Sequence, residues 1–465
     1  MDMDQNVYDE MPAWTFQVEN FGYINKGALT LKPLTILCGQ NNTGKTWMMY
    51  SMYGILRHLP TDEPLPEIAE LTNKLLVDGY VEWNIVEWFE RNFTVIQTYI
   101  NQAVKQRLPE ILNTEPEFFS ETVFNFLISS DTSRLFQKGK MKGMLSSVIP
   151  VERFSVEKER HSAIVKITLP NNRFKASDIE NTIKELILDL IINKKMGMNP
   201  LLLPSERNGL HLLFRELSIR RTALLSLWRG NNENFSDLTS NISRYAEPIA
   251  HYINWLNHLG LNNQSKSFDD AIVELDFLEK IIKGKLEVDK DNNIDFLLEG
   301  DQRLGLHLTS STVNSLAGLW FYIRHTASQG YVLMIDEPEL NLHPANQRAL
   351  ARLLARLVNK GIRVIISTHS DYLIREINSL IMLSQEHPQR ADLMEKYGYS
   401  EAETLTPEQV GAYLFDKNSI QAMEVSKDEG IIATTFDEVI NDLNETSDDI
   451  FYTYRHWNNK VEDAA

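Results

Sequence analysis

Apolar and polar residues alternate through Trp14, Phe16 and Val18, break at Phe21-Gly22 and resume at Leu29 and Leu31, which predicts a β-hairpin near the start of the chain. The apolar run Leu34-Thr35-Ile36-Leu37-Cys38 predicts a short buried strand that leads into a glycine-rich stretch from Gly39 to Thr46. Helical spacing follows at Met48, Met49, Met52, Ile55 and Leu56. It recurs at Ile183, Leu186, Ile187, Leu190 and Ile191, and again between Leu210 and Leu227, so residues 59–283 read as mainly helical. Within that stretch Phe154, Val156, Ile164, Val165, Ile167 and Leu169 flank a charged turn and predict two strands. β patterns return at Leu286-Glu287-Val288 and at residues 294–298, joined by a polar turn over 289–293. A helix from about Ser311, a strand over 331–335, a helix over 344–358 and a strand over 363–367 complete the pattern.

Alternating strands and helices bury a largely parallel sheet under helices on both faces, so the expected fold class is α/β. The expected division is a core in two parts, residues 1–58 and 284–400, interrupted by the helical insertion 59–283 and followed by a C-terminal extension over 401–465. No fixed-period repeat and no long heptad array interrupts this pattern, which argues against a solenoid or an extended coiled coil.

Composition changes the picture in three ways. At 465 residues the chain exceeds the usual size of one hydrophobic core. Its 46 Lys and Arg against 64 Asp and Glu give a formal charge of -18, which argues against wrapping nucleic acid over the whole surface and leaves local contact open. Two basic clusters, Lys138, Lys140 and Lys142, and Arg215, Arg220 and Arg221, read as solvated faces. A single cysteine, Cys38, excludes an internal disulfide and is expected to pack in the core. No bilayer-length apolar run occurs and the first residues are acidic, so a cytoplasmic location with no membrane partner is expected.

The chemistry concentrates in four places. Gly39-Gln40-Asn41-Asn42-Thr43-Gly44-Lys45-Thr46 fits the P-loop pattern between a strand and a helix. Glycines let the backbone curl around phosphate oxygens, with Gly39, Asn41, Asn42, Thr43 and Gly44 forming the cradle, Lys45 neutralising the β- and γ-phosphates and Thr46 ligating Mg²⁺. The expected ligands are therefore ATP and Mg²⁺. Downstream, an apolar strand ends in Asp336-Glu337-Pro338, placing one carboxylate to hold the metal and the next to act as general base toward water. A second apolar strand ends in Ser367-Thr368-His369-Ser370, where His369 could sense a γ-phosphate or serve a structural role. Finally, Ser310 and Ser311 open a helix whose apolar stripe is Val313, Leu316, Ala317, Trp320 and Ile323; their hydroxyls suit an anion or a plain helix cap.

The P-loop, then Asp336-Glu337-Pro338, then His369 resemble the Walker A, Walker B and switch-histidine motifs of the ABC ATPase class. The resemblance implies an ABC-type P-loop head, two copies meeting head to head, and each ATP capped by Ser310 and Ser311 of the opposite copy. Where the class usually carries a second signature glycine, this chain has Thr312. The opening Phe16-Gln17-Val18-Glu19-Asn20-Phe21-Gly22, the run Glu339-Leu340-Asn341-Leu342-His343-Pro344 and the stretch Leu203-Pro204-Ser205-Glu206-Arg207 are similar to bacterial ATPases related to the overcoming-lysogenisation-defect proteins. That group includes the ATPase subunits of the anti-phage systems PARIS and Septu, and the size and the lack of a fused effector fit the PARIS subunit best. The resemblance implies a separate effector nuclease as partner, TOPRIM-like in PARIS or HNH in Septu, and a phage-encoded trigger protein.

Three other classes compete. A transporter ATPase carries a shorter segment between P-loop and signature, and an SMC-like DNA-maintenance ATPase carries a long coiled coil. A self-contained nuclease needs an Asp-x-Asp metal pair, and only Asp2-Met3-Asp4 and Asp289-Lys290-Asp291 have that spacing, one at the terminus and one in a turn.

Overall fold

A strand that is apolar on both faces needs cover on both, and the central strands here obtain it from two separate cores. The computed structural model describes residues 13–59, 64–129, 133, 141–146, 153–159, 161–169, 175–191, 200–228, 245–259, 271–288, 293–298, 300, 302–432 and 445–452. Strands β1 (Trp14–Phe21) and β2 (Ile24–Thr30) form the predicted hairpin, and β3 (Leu34–Gly39) leads into the glycine-rich loop. Next come β4 (Tyr80–Asn84), β5 (Val123–Ile128), β6 (Met141–Ser146), β7 (Arg153–Lys158), β8 (Ile164–Thr168) and β9 (Pro200–Leu203). After them stand β10 (Gly284–Val288), β11 (Ile294–Leu298), β12 (Arg303–Gly305), β13 (Val332–Asp336), β14 (Arg363–Thr368), β15 (Val410–Asp416) and β16 (Ser419–Met423).

Nine strands make one mixed sheet in the order β5-β1-β2-β16-β15-β3-β14-β13-β9. From β15 to β9 every pairing is parallel, whereas β5, β1 and β2 pair antiparallel at the other edge. Side chains of the parallel strands divide by alternation. Leu37, Ile365, Val332, Met334 and Leu202 join one core, while Ile36, Val364, Ile366, Leu333, Ile335 and Leu203 join the other. The fold is thus mixed α/β, with helices on both faces of a large sheet.

Several strands escape the periodicity reading. The stretch 59–283 supplies both edges of the main sheet, β5 and β9, and a separate four-stranded sheet, β4-β8-β7-β6, in which only β7 and β8 were anticipated. Four buried residues in β9 are too few to show a period. The predicted hairpin of β10 and β11 exists, but it joins β12 in a sheet of its own and does not re-enter the main one. Likewise, the division expected from the sequence leaves residues 401–465 outside the core, yet β15 lies beside β3 in the middle of the sheet. Its run Val410-Gly411-Ala412-Tyr413-Leu414-Phe415 is buried on both faces and therefore shows no alternation. Lys138, Lys140 and the pairs Asp2/Asp4 and Asp289/Asp291 lie outside the described residues.

The helix Lys45–Arg57 is buried along Met48 to Leu56, between the sheet and the long helix Ile85–Leu112. Gly54 permits this approach, since a β-carbon there would stand 2.4 Å from Ile111 Cγ1. Cys38 is buried, and burial pushes its thiol up to about 12, consistent with a packing role. Among the described residues no helix is long and apolar enough to cross a membrane.

At Gly39 the backbone runs so close to β15 that a β-carbon would meet Phe415 O at 2.4 Å. The C-terminal strand therefore braces the loop that follows Gly39. Truncating the chain after Thr404 is expected to abolish both cooperative thermal unfolding and nucleotide binding, measured by calorimetry. A truncated chain that retains wild-type nucleotide affinity would show that β15 is dispensable.

Candidate functional site

Parallel strands place their carboxyl ends on one edge of the sheet, and β3, β14, β13 and β9 are neighbours in that order. The loops leaving these ends bring together residues far apart in sequence. After β3, the chain is left-handed at Asn42 (φ 63) and Gly44 (φ 99), the geometry of a backbone anion-binding nest. Gly44 then starts the helix Lys45–Arg57 with no side-chain cap and no acidic residue in its first turn. Its leading N–H groups are thus left for an external anion. Asn41 and Asn42 are exposed at the tip, and the Thr43 hydroxyl donates to Gln40 O at 2.9 Å.

Lys45 is buried, and its ammonium donates to Gly39 O at 2.8 Å and Gln40 O at 2.6 Å, which folds its charge over the loop. Burial pushes its pKa below the usual lysine value, opposed by the negative charges of Asp336 and Glu337. Thr46 Oγ1 donates to Asp336 Oδ2 at 3.0 Å. Asp336 is 1% exposed; burial raises its pKa, and the hydroxyls of Ser367 and Thr46 work against that rise by donating to the charged form. A hydroxyl and a carboxylate this close, at a helix N-terminus, are hard-oxygen ligands suited to Mg²⁺.

Glu337 follows with φ 49, a left-handed conformation that is uncommon for a residue with a side chain. Its N–H donates to Ser367 O at 3.1 Å and Ser367 Oγ at 3.2 Å, and its carbonyl accepts from Arg207 Nη2 at 2.8 Å. Such strain persists because the backbone is held on both sides. His369 is half exposed at the end of β14; its N–H donates to Glu339 Oε1 at 2.9 Å, and the same oxygen lies 3.4 Å from its Nδ1. Thr368 Oγ1 donates to that oxygen too, at 2.7 Å, so a buried carboxylate fixes the histidine's position.

The geometry thus gathers Gly39, Lys45, Thr46, Asp336, Glu337 and His369 on one edge. Ser310 and Ser311 are exposed at the N-terminus of the helix Ser311–His325. Ser310 Oγ accepts from Val313 N at 3.3 Å, which realises the capping role. Among the described residues no hydrogen bond joins either serine to the P-loop of the same chain. Sequence reasoning assigned no role to three residues that matter here. Ser367 bridges Asp336 and Glu337. Glu339 seats His369, and Arg207 seats Glu337. Only the polar residues ending β14 and following β13 and β9 could have hinted at them.

The sequence matches a family described as an AAA ATPase domain (AAA_15) over residues 14–374. No curated protein matches it. Among solved structures, an Smc head domain from Pyrococcus furiosus with an extended coiled coil, bound to the C-terminal domain of ScpA, aligns over 94% of this chain and 100% of its own at 12% identity and a TM-score of 0.33. An SMC head domain from Thermotoga maritima aligns over 90% of this chain and 100% of its own at 10% identity and a TM-score of 0.32.

Two outcomes are expected from the site geometry. Replacing Lys45 by Ala removes the cation folded over the loop, so ATP affinity measured by calorimetry should be lost. Replacing Ser367 by Ala leaves every proposed ligand in place but frees Asp336 and the Glu337 backbone. The Mg²⁺ concentration for half-maximal ATP turnover should then rise by about 10- to 100-fold, and an unchanged Mg²⁺ titration would refute this role.

Proposed function

The chain belongs to the AAA ATPase domain family, and we propose that it binds and hydrolyses ATP in the manner of an ABC-type head, at sites completed by a second copy of itself. The observation that carries the hydrolytic part is the convergence of Lys45, the Thr46–Asp336 pair and the constrained Glu337 at the carboxyl ends of adjacent parallel strands. The amides of the P-loop and Lys45 hold the β- and γ-phosphates. Thr46 and Asp336 would hold Mg²⁺, which would supply positive charge to offset that of the phosphates. Glu337, aimed by its fixed backbone, accepts a proton from the attacking water. His369, seated by Glu339, faces the γ-phosphate position from the next strand and reports its presence.

Completion in trans is supported by the exposure of Ser310 and Ser311 at the N-terminus of their helix. At the level of biology, we infer an ATP-driven sensor or scaffold subunit of a bacterial anti-phage complex similar to PARIS. It would control a separate TOPRIM-like nuclease in response to a phage-encoded protein. The support is the similarity of the motif strings at Phe16 to Gly22, Leu203 to Arg207 and Glu339 to Pro344, together with the share of the chain outside the nucleotide edge. A Septu-type pairing with an HNH nuclease shares that support. Co-purification from native cells with the product of the neighbouring gene separates the two.

Mixing variants tests the shared site. Ser311→Arg and Lys45→Ala chains should each be inactive alone and regain up to one working site per mixed dimer, read as ATP turnover. Mixed dimers that form yet stay inactive at every ratio would overturn completion in trans.

A further inference from the structure

Arg207 lies in the Leu203-Pro204-Ser205-Glu206-Arg207 string, for which the ATPase reading gives no role. It is 1% exposed, yet among the described residues its guanidinium donates to four backbone carbonyls and to no carboxylate. Nη1 donates to Asp336 O at 2.8 Å and to Pro204 O at 3.1 Å, Nη2 to Glu337 O at 2.8 Å, and Nε to Ser315 O at 3.1 Å. These acceptors belong to three segments: the end of β9, the end of β13, and the early part of the helix that Ser310 and Ser311 open. A planar fork with fixed donor directions sets the relative positions of all three, which a point charge could not do.

We propose that Arg207 is a positioning residue that couples the Ser310–Ser311 helix to Glu337, so that engagement of that helix by a second copy sets the geometry of the general base. The inference rests on the proposed role of Glu337. Two further observations support it. Glu337 is held left-handed between Ser367 on its N–H and Arg207 on its carbonyl, so loss of either bond lets the backbone relax and re-aims the carboxylate. The helix starting at Arg207 also grips the serine helix through directional polar contacts. Asn208 Nδ2 donates to Ser315 Oγ at 2.9 Å. His211 Nδ1 lies 3.1 Å from Asn314 O, and its Nε2 lies 2.6 Å from Tyr252 OH. At Gly318 the Tyr252 hydroxyl comes so near that a β-carbon would stand 2.4 Å from it. Contacts of this kind hold one register or another and do not slide continuously, so a shift at the serines is passed on through Ser315 and Arg207.

Steady-state ATPase kinetics on the full chain, with ATP affinity measured separately, test the coupling. Arg207→Lys keeps the charge and loses the fork. It should bind ATP within about threefold of wild type while kcat falls about 10- to 100-fold at nearly constant KM. In a Glu337→Gln background the same change should cost less than about twofold more, because both act through one group. A merely structural arginine would instead lower affinity and thermal stability together and add its loss to that of Glu337→Gln; that result, or normal kcat in Arg207→Lys, overturns the proposal. Should Arg207→Lys fail to fold, Asn208→Ala loosens the same helix pair from its partly exposed side. It should lower kcat about threefold at constant KM, and an unchanged kcat there overturns the proposal as well. Normal turnover by Glu337→Gln overturns the parent reading of the general base and this inference with it. An inactive Glu337→Gln beside a fully active Arg207→Lys overturns the inference alone.

Discussion

A hydrogen bond of 3.0 Å joins Thr46 to Asp336 across 290 positions of sequence, and the surrounding architecture exists to make it possible. Asp336 is a nearly inaccessible carboxylate, and taking such a charge out of water costs several kcal/mol unless donors replace the lost hydration. Two hydroxyls and the nearby Lys45 supply that replacement. Lys45 and Thr46 follow β3 and Ser367 lies in β14, so the site forms only when β3, β14 and β13 lie side by side in register. The register does this directly: Cys38 pairs with Thr368 and Asp336 with Ser367, which aligns the ends of the three strands.

Around that bond the polar residues form a shell in which each fixes the next. Ser367 donates its hydroxyl to Asp336 and accepts from the Glu337 N–H through its oxygens, so one residue of β14 holds the Asp336 carboxylate and the Glu337 backbone. Glu339 spends one oxygen on Thr368 and His369, while its second is buried without a hydrogen-bond partner among the described residues. Arg207 closes the shell from the β9 side. The strained backbone at Glu337 is the point where these constraints meet, as expected where positioning matters more than local comfort.

Both segments that sequence periodicity set apart from the nucleotide-binding core feed this arrangement. β9 lies within the stretch 59–283 yet carries Arg207 to the edge of β13. β15 lies beyond Glu401 yet packs its Phe415 carbonyl against Gly39. Charged contacts anchor the region before β15: buried Glu403 accepts from Arg352 and Arg356 on the helix Pro344–Asn359. These segments therefore touch the loop at Gly39 and the backbone of Glu337 directly.

The sequence by itself determined the local order on which the proposed chemistry depends. The P-loop needs glycines and a lysine at fixed spacing directly between a strand and a helix, and the acidic pair and the histidine each need only the end of an apolar strand. Those requirements are contiguous, so the places of Lys45, Thr46, Asp336, Glu337 and His369 at strand and helix ends were readable, as were the strands β3, β13 and β14 that lead to them. Tertiary structure alone decided which strands neighbour which. A four-residue strand such as β9 and a doubly buried one such as β15 carry no period, and their places are set by pairing partners hundreds of residues away. It alone also decided the roles of Ser367, Glu339 and Arg207. A serine, a glutamate and an arginine are ordinary residues until the fold buries them, and burial then obliges each to find a partner and so to hold it in place.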